Sequence, residues 1–262
     1  MDIIDRRLIQ ALHVERLRRA GLDHTEHVPH VIFQASTIDA LLDGAYDGDL
    51  TFAELNEHGD FGIGTLEQLD GEMIALDGAF FVARSDGRVD PVSPDTRTPF
   101  AVVIFFQAVS TYAIESAASY AELQTRLYAL APKEAACCAV RVDAQFAQMR
   151  VRSVPRQTPP YPPLPQVTAH QAEFNLGATH GTLVGFCFPD YAQGFEVAGY
   201  HLHYLSQDRT QGGHVLDCVM EKGIARFDAS SDLHIEVPSG LAVSEPDSSG
   251  QKRQVLRRVE GH

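Results

Sequence analysis

The chain has few cysteines, a deficit of basic residues and no long apolar run. Its four cysteines are Cys137, Cys138, Cys187 and Cys218, and none sits in a Cys-x-x-Cys pair. That argues against a cysteine zinc site. All four lie in apolar, strand-like surroundings, which predicts buried thiols of a reduced compartment rather than a disulfide framework. Lys and Arg total 21 against 35 Asp and Glu, a formal net charge of −14. Nucleic acid and anionic membranes both select basic patches, so neither is an expected partner. Arg6-Arg7 and Arg257-Arg258 are too short to reverse the balance. No stretch approaches the ~20 apolar residues that cross a bilayer. Met1 to Arg19 carries Asp2, Asp5, Arg6 and Arg7 and lacks the apolar centre of a secretory signal. A cytoplasmic location is expected.

What is present is a globular composition, 262 residues with 44% hydrophobic and 21% charged. That allows one large domain or two ordinary ones. Asp70-Gly71, Asp77-Gly78 and Asp86-Gly87 punctuate three short apolar runs at 62–66, 72–76 and 79–83. Asp-Gly between apolar runs is a hairpin signal. Residues 31–34 and 100–106 predict further strands, and 138–154 a long or bent one. Ser36 or Thr37 can cap a helix over 38–44, and another short segment starts at Thr51. Leu123, Leu127 and Leu130 predict a helix over 120–130, and a further helix is read over 5–19.

The segment 157–166 holds Pro159, Pro160, Pro162, Pro163 and Pro165. It predicts an extended connector with no helix and no central strand. Beyond it, 167–175, 181–188, 199–205, 214–227, 234–237 and 255–259 read as strands. The expected fold is α/β of the α+β kind, β-rich, with two domains each built on a mixed or antiparallel sheet. The expected parts are an arm at 1–28 with no assigned role, a mixed domain at 29–156, the connector 157–166, and an antiparallel β domain at 167–262. That last part would carry the metal site and a returning tail.

The most informative run is 199–217. His201 and His203 are two apart, so on a strand both imidazoles leave the same face. Residues 206–213 are rich in Ser, Asp and Gly and read as a turn. A hairpin would return His214 opposite the first two. Three neutral imidazoles from paired strands suit a transition metal and leave a fourth position open, the catalytic form of a zinc site. A His-x-His pair is also found on ordinary surfaces and in satisfied cores. His24, His27 and His30, spaced by three, read as an adventitious group, and His180 as a structural histidine. Asp217 is a candidate to orient a liganding imidazole. Taken singly, Glu72 after its turn, Arg152 in a β-branched strand and Glu260 near the end read as a cap, an ion pair and a solvated acid.

Several blocks taken together change that reading. They are Val31-Ile32-Phe33-Gln34, Gly62-Ile63-Gly64-Thr65-Leu66, Leu69 through Gly78, Arg152-Ser153-Val154-Pro155 with Pro160-Tyr161 and Pro163-Leu164, Gly181 through Phe186, and the histidine run. In this combination the chain resembles alpha-acetolactate decarboxylase from about residue 29 to 260. The resemblance implies one zinc ion on His201, His203 and His214, an acidic pair at Glu72 and Glu260, and an active-site arginine at Arg152. Thr65 is a weaker candidate for a hydrogen bond to substrate. It also implies a two-domain α/β protein, commonly a homodimer, acting on a small 2-hydroxy-3-keto acid. On that reading the zinc acts as a Lewis acid on the charge left by carbon dioxide, Arg152 holds the carboxylate through its planar fork, and Glu72 or Glu260 delivers a proton. Two other readings stay open here. One is a cupin-like metal oxygenase, although 205–208 lacks the expected Glu. The other is a binding protein without catalysis.

Overall fold

The computed structural model describes residues 12–13, 29–133, 135–237 and 251–259. Two large sheets make the fold, a sheet-rich α+β architecture. The first has eight strands in the order Leu12–His13 (β1), Asp232–Glu236 (β16), Val31–Ala35 (β2), Phe100–Ile104 (β9), Phe61–Thr65 (β4), Glu72–Leu76 (β5), Ala79–Ala83 (β6) and Val89–Pro91 (β7). It is mixed: β1 and β2 both run parallel to β16, and the remaining neighbours are antiparallel. The second has six strands in the order Ser110–Ile114 (β10), Gly212–Ser230 (β15), Gly199–Ser206 (β14), Thr179–Phe188 (β13), Cys137–Ser153 (β11) and Ala172–Asn175 (β12). β11 also pairs with β15, so β11, β13, β14 and β15 close on themselves. A two-stranded ladder joins Leu50–Thr51 (β3) to Arg97–Thr98 (β8).

The Asp-Gly turns behave as their chemistry requires. Asp77 and Gly78 both have positive φ, 54° and 78°, as a tight two-residue hairpin between β5 and β6 demands. β4, β5 and β9 are buried along their whole length, which matches their mostly apolar character, Thr65 and Glu72 being buried polar exceptions. Thr37 caps the helix Ile38–Leu42, and Thr51 with Glu54 forms a capping box on Phe52–Leu55. Leu123 and Leu127 bury one face of the helix Tyr120–Leu130.

One core lies between the sheets: Ile63, Ile74 and Phe100 of the first pack with Val184 and Phe186 of the second. Another sits on the far side of the second sheet, where Tyr200, Leu202 and Tyr204 meet Leu123 and Leu127. β10 and β11 precede the Pro-rich segment yet belong to the second sheet, and β16 follows it yet belongs to the first.

Four expectations need correction. Leu12–His13, inside the span read as helix, is a strand on the edge of the first sheet, and the remainder of 5–19 lies outside the described residues. The Pro-rich connector does hold a helix start, because Leu164–Thr168 carries Pro165 in its first turn, where the missing N–H costs nothing. Only Ala172–Asn175 of the segment 167–175 is strand. Residues 255–259 belong to the helix Gln251–Val259, which buries Leu256 and Val259 against the inter-sheet core. The spacing of 255, 256 and 259 is helical, and that outweighs the β-branched character of its valines.

Candidate metal centre

β14 and β15 form a hairpin whose register sets His203 directly opposite His214. His201 lies two residues before His203 on the same face, as the strand period requires. The three rings sit 5.0–5.4 Å apart centre to centre. One ligand nitrogen from each lies within 4.8 Å of the others, and all three residues are buried. β13 supports this strand from the other side through Gly185, where a Cβ would come within 2.0 Å of the His201 carbonyl oxygen. Any larger residue there would push His201 out of place.

The first sheet supplies the opposite wall. Nδ1 of His203 donates to the Met73 carbonyl at 2.8 Å. A carbonyl only accepts, so the proton is on Nδ1 and the Nε2 lone pair points into the site. Burial first, with the neighbouring His201 and Arg152, drives the His203 pKa well below its ordinary value, so the ring stays neutral. Its Nε2 is buried with no hydrogen-bond partner among the described residues. Glu72 Oε2 faces that nitrogen at 3.5 Å. Two acceptor atoms face each other there, an arrangement that a cation satisfies and a proton-poor interior does not. The donor set therefore fits a divalent transition metal.

Glu72 reaches this position because Gly71, at φ +100°, makes the turn that starts β5. Arg152 is opposite His214 in the β11–β15 ladder, and its Nη1 donates to Glu72 Oε1 at 2.8 Å. Both side chains are less than a tenth exposed. Thr65 pairs across the ladder with Glu72, and its hydroxyl donates to the Gly71 carbonyl at 2.7 Å. Thr65, Glu72, Arg152, His201 and His203 line one cavity, closed over by Ile38, Leu41, Phe100 and Leu164. Six of the seven residues named from the sequence thus converge. Glu260 lies outside the described residues, as do His24 and His27.

The remaining candidates are elsewhere. His30 Nδ1 meets Asp228 at 2.5 Å, and His180 is exposed. Asp217 is three residues from His214, and a β-bulge lies between them: Val151 pairs with Val215, but Arg150 pairs with Asp217. There its carboxylate accepts the Tyr120 and Cys218 amides at 3.0 and 2.9 Å, so it does not orient an imidazole. The acid beside the trio is one that sequence reasoning missed. Glu196 is 1% exposed, its Oε2 accepts the Val197 amide at 2.6 Å and lies 4.0 Å from His201 Nδ1. A lone acid between Phe195 and Val197 was the available signal. The Met73 carbonyl carried no sequence signal at all.

Fold and site together define a class: a sheet-rich α+β protein with a buried three-histidine group that can hold a metal ion. The family model for alpha-acetolactate decarboxylase matches residues 32–245. The alpha-acetolactate decarboxylase of Methylococcus capsulatus is 44% identical over 257 residues, covering 98% of this chain and 99% of that one. That of Bacillus subtilis is 38% identical, covering 79% of this chain and 82% of its own. The crystal structure of alpha-acetolactate decarboxylase from Bacillus subtilis strain 168 superposes with a TM-score of 0.83 at 35% identity, over 88% of this chain and 99% of that one. The chain belongs to the alpha-acetolactate decarboxylase family and is an enzyme of the carboxy-lyase class. That membership sets aside the cupin-like and the non-catalytic readings.

Proposed function

We propose that the protein decarboxylates 2-acetolactate to acetoin and carbon dioxide, with zinc on His201, His203 and His214. The observation that carries this reading is the placement of the Glu72–Arg152 ion pair against the trio, with Glu72 Oε2 3.5 Å from His203 Nε2. When bound, zinc supplies Lewis acidity for the negative charge that builds beside the ketone as carbon dioxide leaves. Everything else falls to the chain. Arg152 is positioned to hold the substrate carboxylate, since its guanidinium is planar, permanently charged and buried at the site. Glu72 is one of two candidates to hand a proton to the carbanion-like carbon, and Glu260 is the other. The Thr65 hydroxyl, with its proton committed to Gly71, keeps lone pairs with which to accept from a substrate hydroxyl. Ile38, Leu41, Phe100 and Leu164 keep water from the reacting carbon.

The same reading places the enzyme in the cytoplasm, as a homodimer, in acetoin and butanediol formation. Among the described residues no helix is long and apolar enough to cross a membrane. Purified protein given racemic acetolactate should form acetoin in a colour assay. Chelation should stop it, and zinc should restore it. Full activity in a metal-free preparation would overturn the metal role. Glu260→Gln should slow turnover while zinc content stays at that of the wild type, and unchanged turnover removes Glu260 from the proton step.

A further inference from the structure

Cys138 of β11 and Cys187 of β13 are direct cross-strand partners, with Cys138 opposite Cys187 in the register. Directly paired residues of an antiparallel ladder have Cα atoms about 4.5–5.5 Å apart, inside the span that a disulfide accepts. Both side chains leave the same face of the second sheet, the face that carries Tyr200 and packs on Leu123 of the helix, and not the face of the histidines. Tyr128 and Tyr200 stand over the pair with ring centres 4.6 Å apart. A cavity of about 690 Å³ opens on the group, lined by Tyr128, Lys133, Cys138, Cys187, Asp190 and Tyr200. Cys187 is partly exposed, while Cys137, Cys138 and Cys218 are buried. The decarboxylation uses none of these thiols.

We propose that Cys187 and Cys138 are a peroxide-oxidised thiol pair, with Cys187 the attacking sulfur and Cys138 the resolving thiol. The Cys187 thiolate attacks one oxygen of a peroxide ROOH. The O–O bond breaks, RO⁻ leaves and takes up a proton as ROH, and Cys187 becomes a sulfenic acid. The Cys138 sulfur then attacks the Cys187 sulfur. The S–O bond breaks, hydroxide leaves with the Cys138 proton as water, and the disulfide forms. The peroxide is reduced by two electrons and the two thiols together are oxidised by two.

The local electrostatics agree with this order of events. The Cys138 thiol, aided by the Tyr128 and Tyr200 hydroxyls, outweighs burial and lowers the Cys187 thiol below its ordinary range. Its contact with Cys187, together with burial, raises Cys138. Burial pushes Cys137 and Cys218 up to about 12 each. The partly exposed thiol of the pair is thus also the one that its surroundings make more acidic, and its partner is already in register.

The test uses the full chain with its metal and dilute hydrogen peroxide. At neutral pH, alkylation of the untreated protein should label Cys187 at least about ten-fold faster than the other three, since one pKa unit is tenfold in thiolate. Peroxide should then give one Cys138–Cys187 cross-linked peptide, undone by dithiothreitol. Cys138→Ser should stop at a Cys187 sulfenic acid that dimedone captures, with no cross-link. Circular dichroism and acetoin formation confirm that this variant is folded. Fastest alkylation at Cys137 or Cys218 overturns the proposal. So do peroxide treatment that leaves all four thiols free, and a Cys138→Ser protein that dimedone fails to label after treatment.

Discussion

Along β14, His201 and His203 face the first sheet, while Tyr200, Leu202 and Tyr204 face the helix Tyr120–Leu130. Both faces are equally dry: Tyr200 and Leu202 are 1% exposed, as is His203. They are dry for different reasons. The back face removes apolar surface from water, which stabilises by about 25 cal/mol per Å². The front face removes imidazoles, a guanidinium and carboxylates from water, which costs free energy unless each finds a partner. Arg152 with Glu72, and His203 with the Met73 carbonyl, offset part of that cost. A metal on the three histidines would offset more. The back face therefore holds the strand, and the front face spends some of that stability on a site.

Substituting each face in turn should separate metal and activity from stability. The largest effect is expected from His203→Ala. Partners of metal ligands alone are worth about 10–100-fold in metal affinity, so losing a ligand should cost at least about 100-fold. Elemental analysis should show the protein zinc-free, and acetoin formation should vanish, while circular dichroism stays native. Zinc retained at full stoichiometry would mean that the trio is not the metal site. Next is Glu72→Gln. Turnover should fall about 100-fold or more, the scale of general acid–base catalysis, with zinc content unchanged. Turnover within a factor of two of wild type would remove Glu72 from the reaction. The reverse pattern is expected behind the strand. Leu202→Ala should lower stability by about 2–5 kcal/mol in urea unfolding. Under native conditions its zinc content and rate should stay near those of the wild type. Equal losses of rate in both faces would show that the site has no rigidity of its own.

The front face was the more legible of the two in the sequence, and only in part. The hairpin carries a local signal: His201 and His203 at a strand period, a polar break, then His214. Local periods and turn chemistry also gave Glu72–Leu76, Ala79–Ala83 and the helix Tyr120–Leu130 at their observed limits. The approach of Glu72 and Arg152, 80 residues apart in the chain, is long-range. No period encodes it, and it became visible only through resemblance to a family. Glu196 and the Met73 carbonyl were missed for related reasons. The first is a single acid in an apolar stretch that no spacing ties to His201, and the second is main chain. Asp217 is taken up by the Tyr120 and Cys218 amides beyond a β-bulge, and no spacing in the sequence announces that bulge. The helix Gln251–Val259 was misread because three apolar positions fit two periods over so short a span, and packing of Leu256 and Val259 decides between them.

The smallest expected effect lies on the same long strand as Arg152 but in its partly exposed middle. Asp143 accepts from Arg141 at 2.9 Å and from Thr182 at 2.8 Å, and also pairs with Arg226. Burial alone would raise its pKa, but the Arg141 and Thr182 hydrogen bonds and the charges of Arg141 and Arg226 outweigh it and lower it. A carboxylate with a depressed folded pKa binds its proton later than in the unfolded chain. Its contribution is therefore complete above the unfolded aspartate value of about 3.9 and disappears as pH falls through the folded value. Asp143 is about a third exposed, so solvent screening limits that contribution to roughly 1 kcal/mol or less. Asp143→Asn should lower the urea midpoint slightly at pH 7. As pH falls below about 4 and on through the folded value, the variant and the wild type should converge, because the wild type progressively loses the same interaction. A difference that persists unchanged into acid would mean that Asp143 acts by shape and not by charge. The buried pair at Glu72 and Arg152, on this comparison, serves the site, while the open pairs around Asp143 trim stability at the rim.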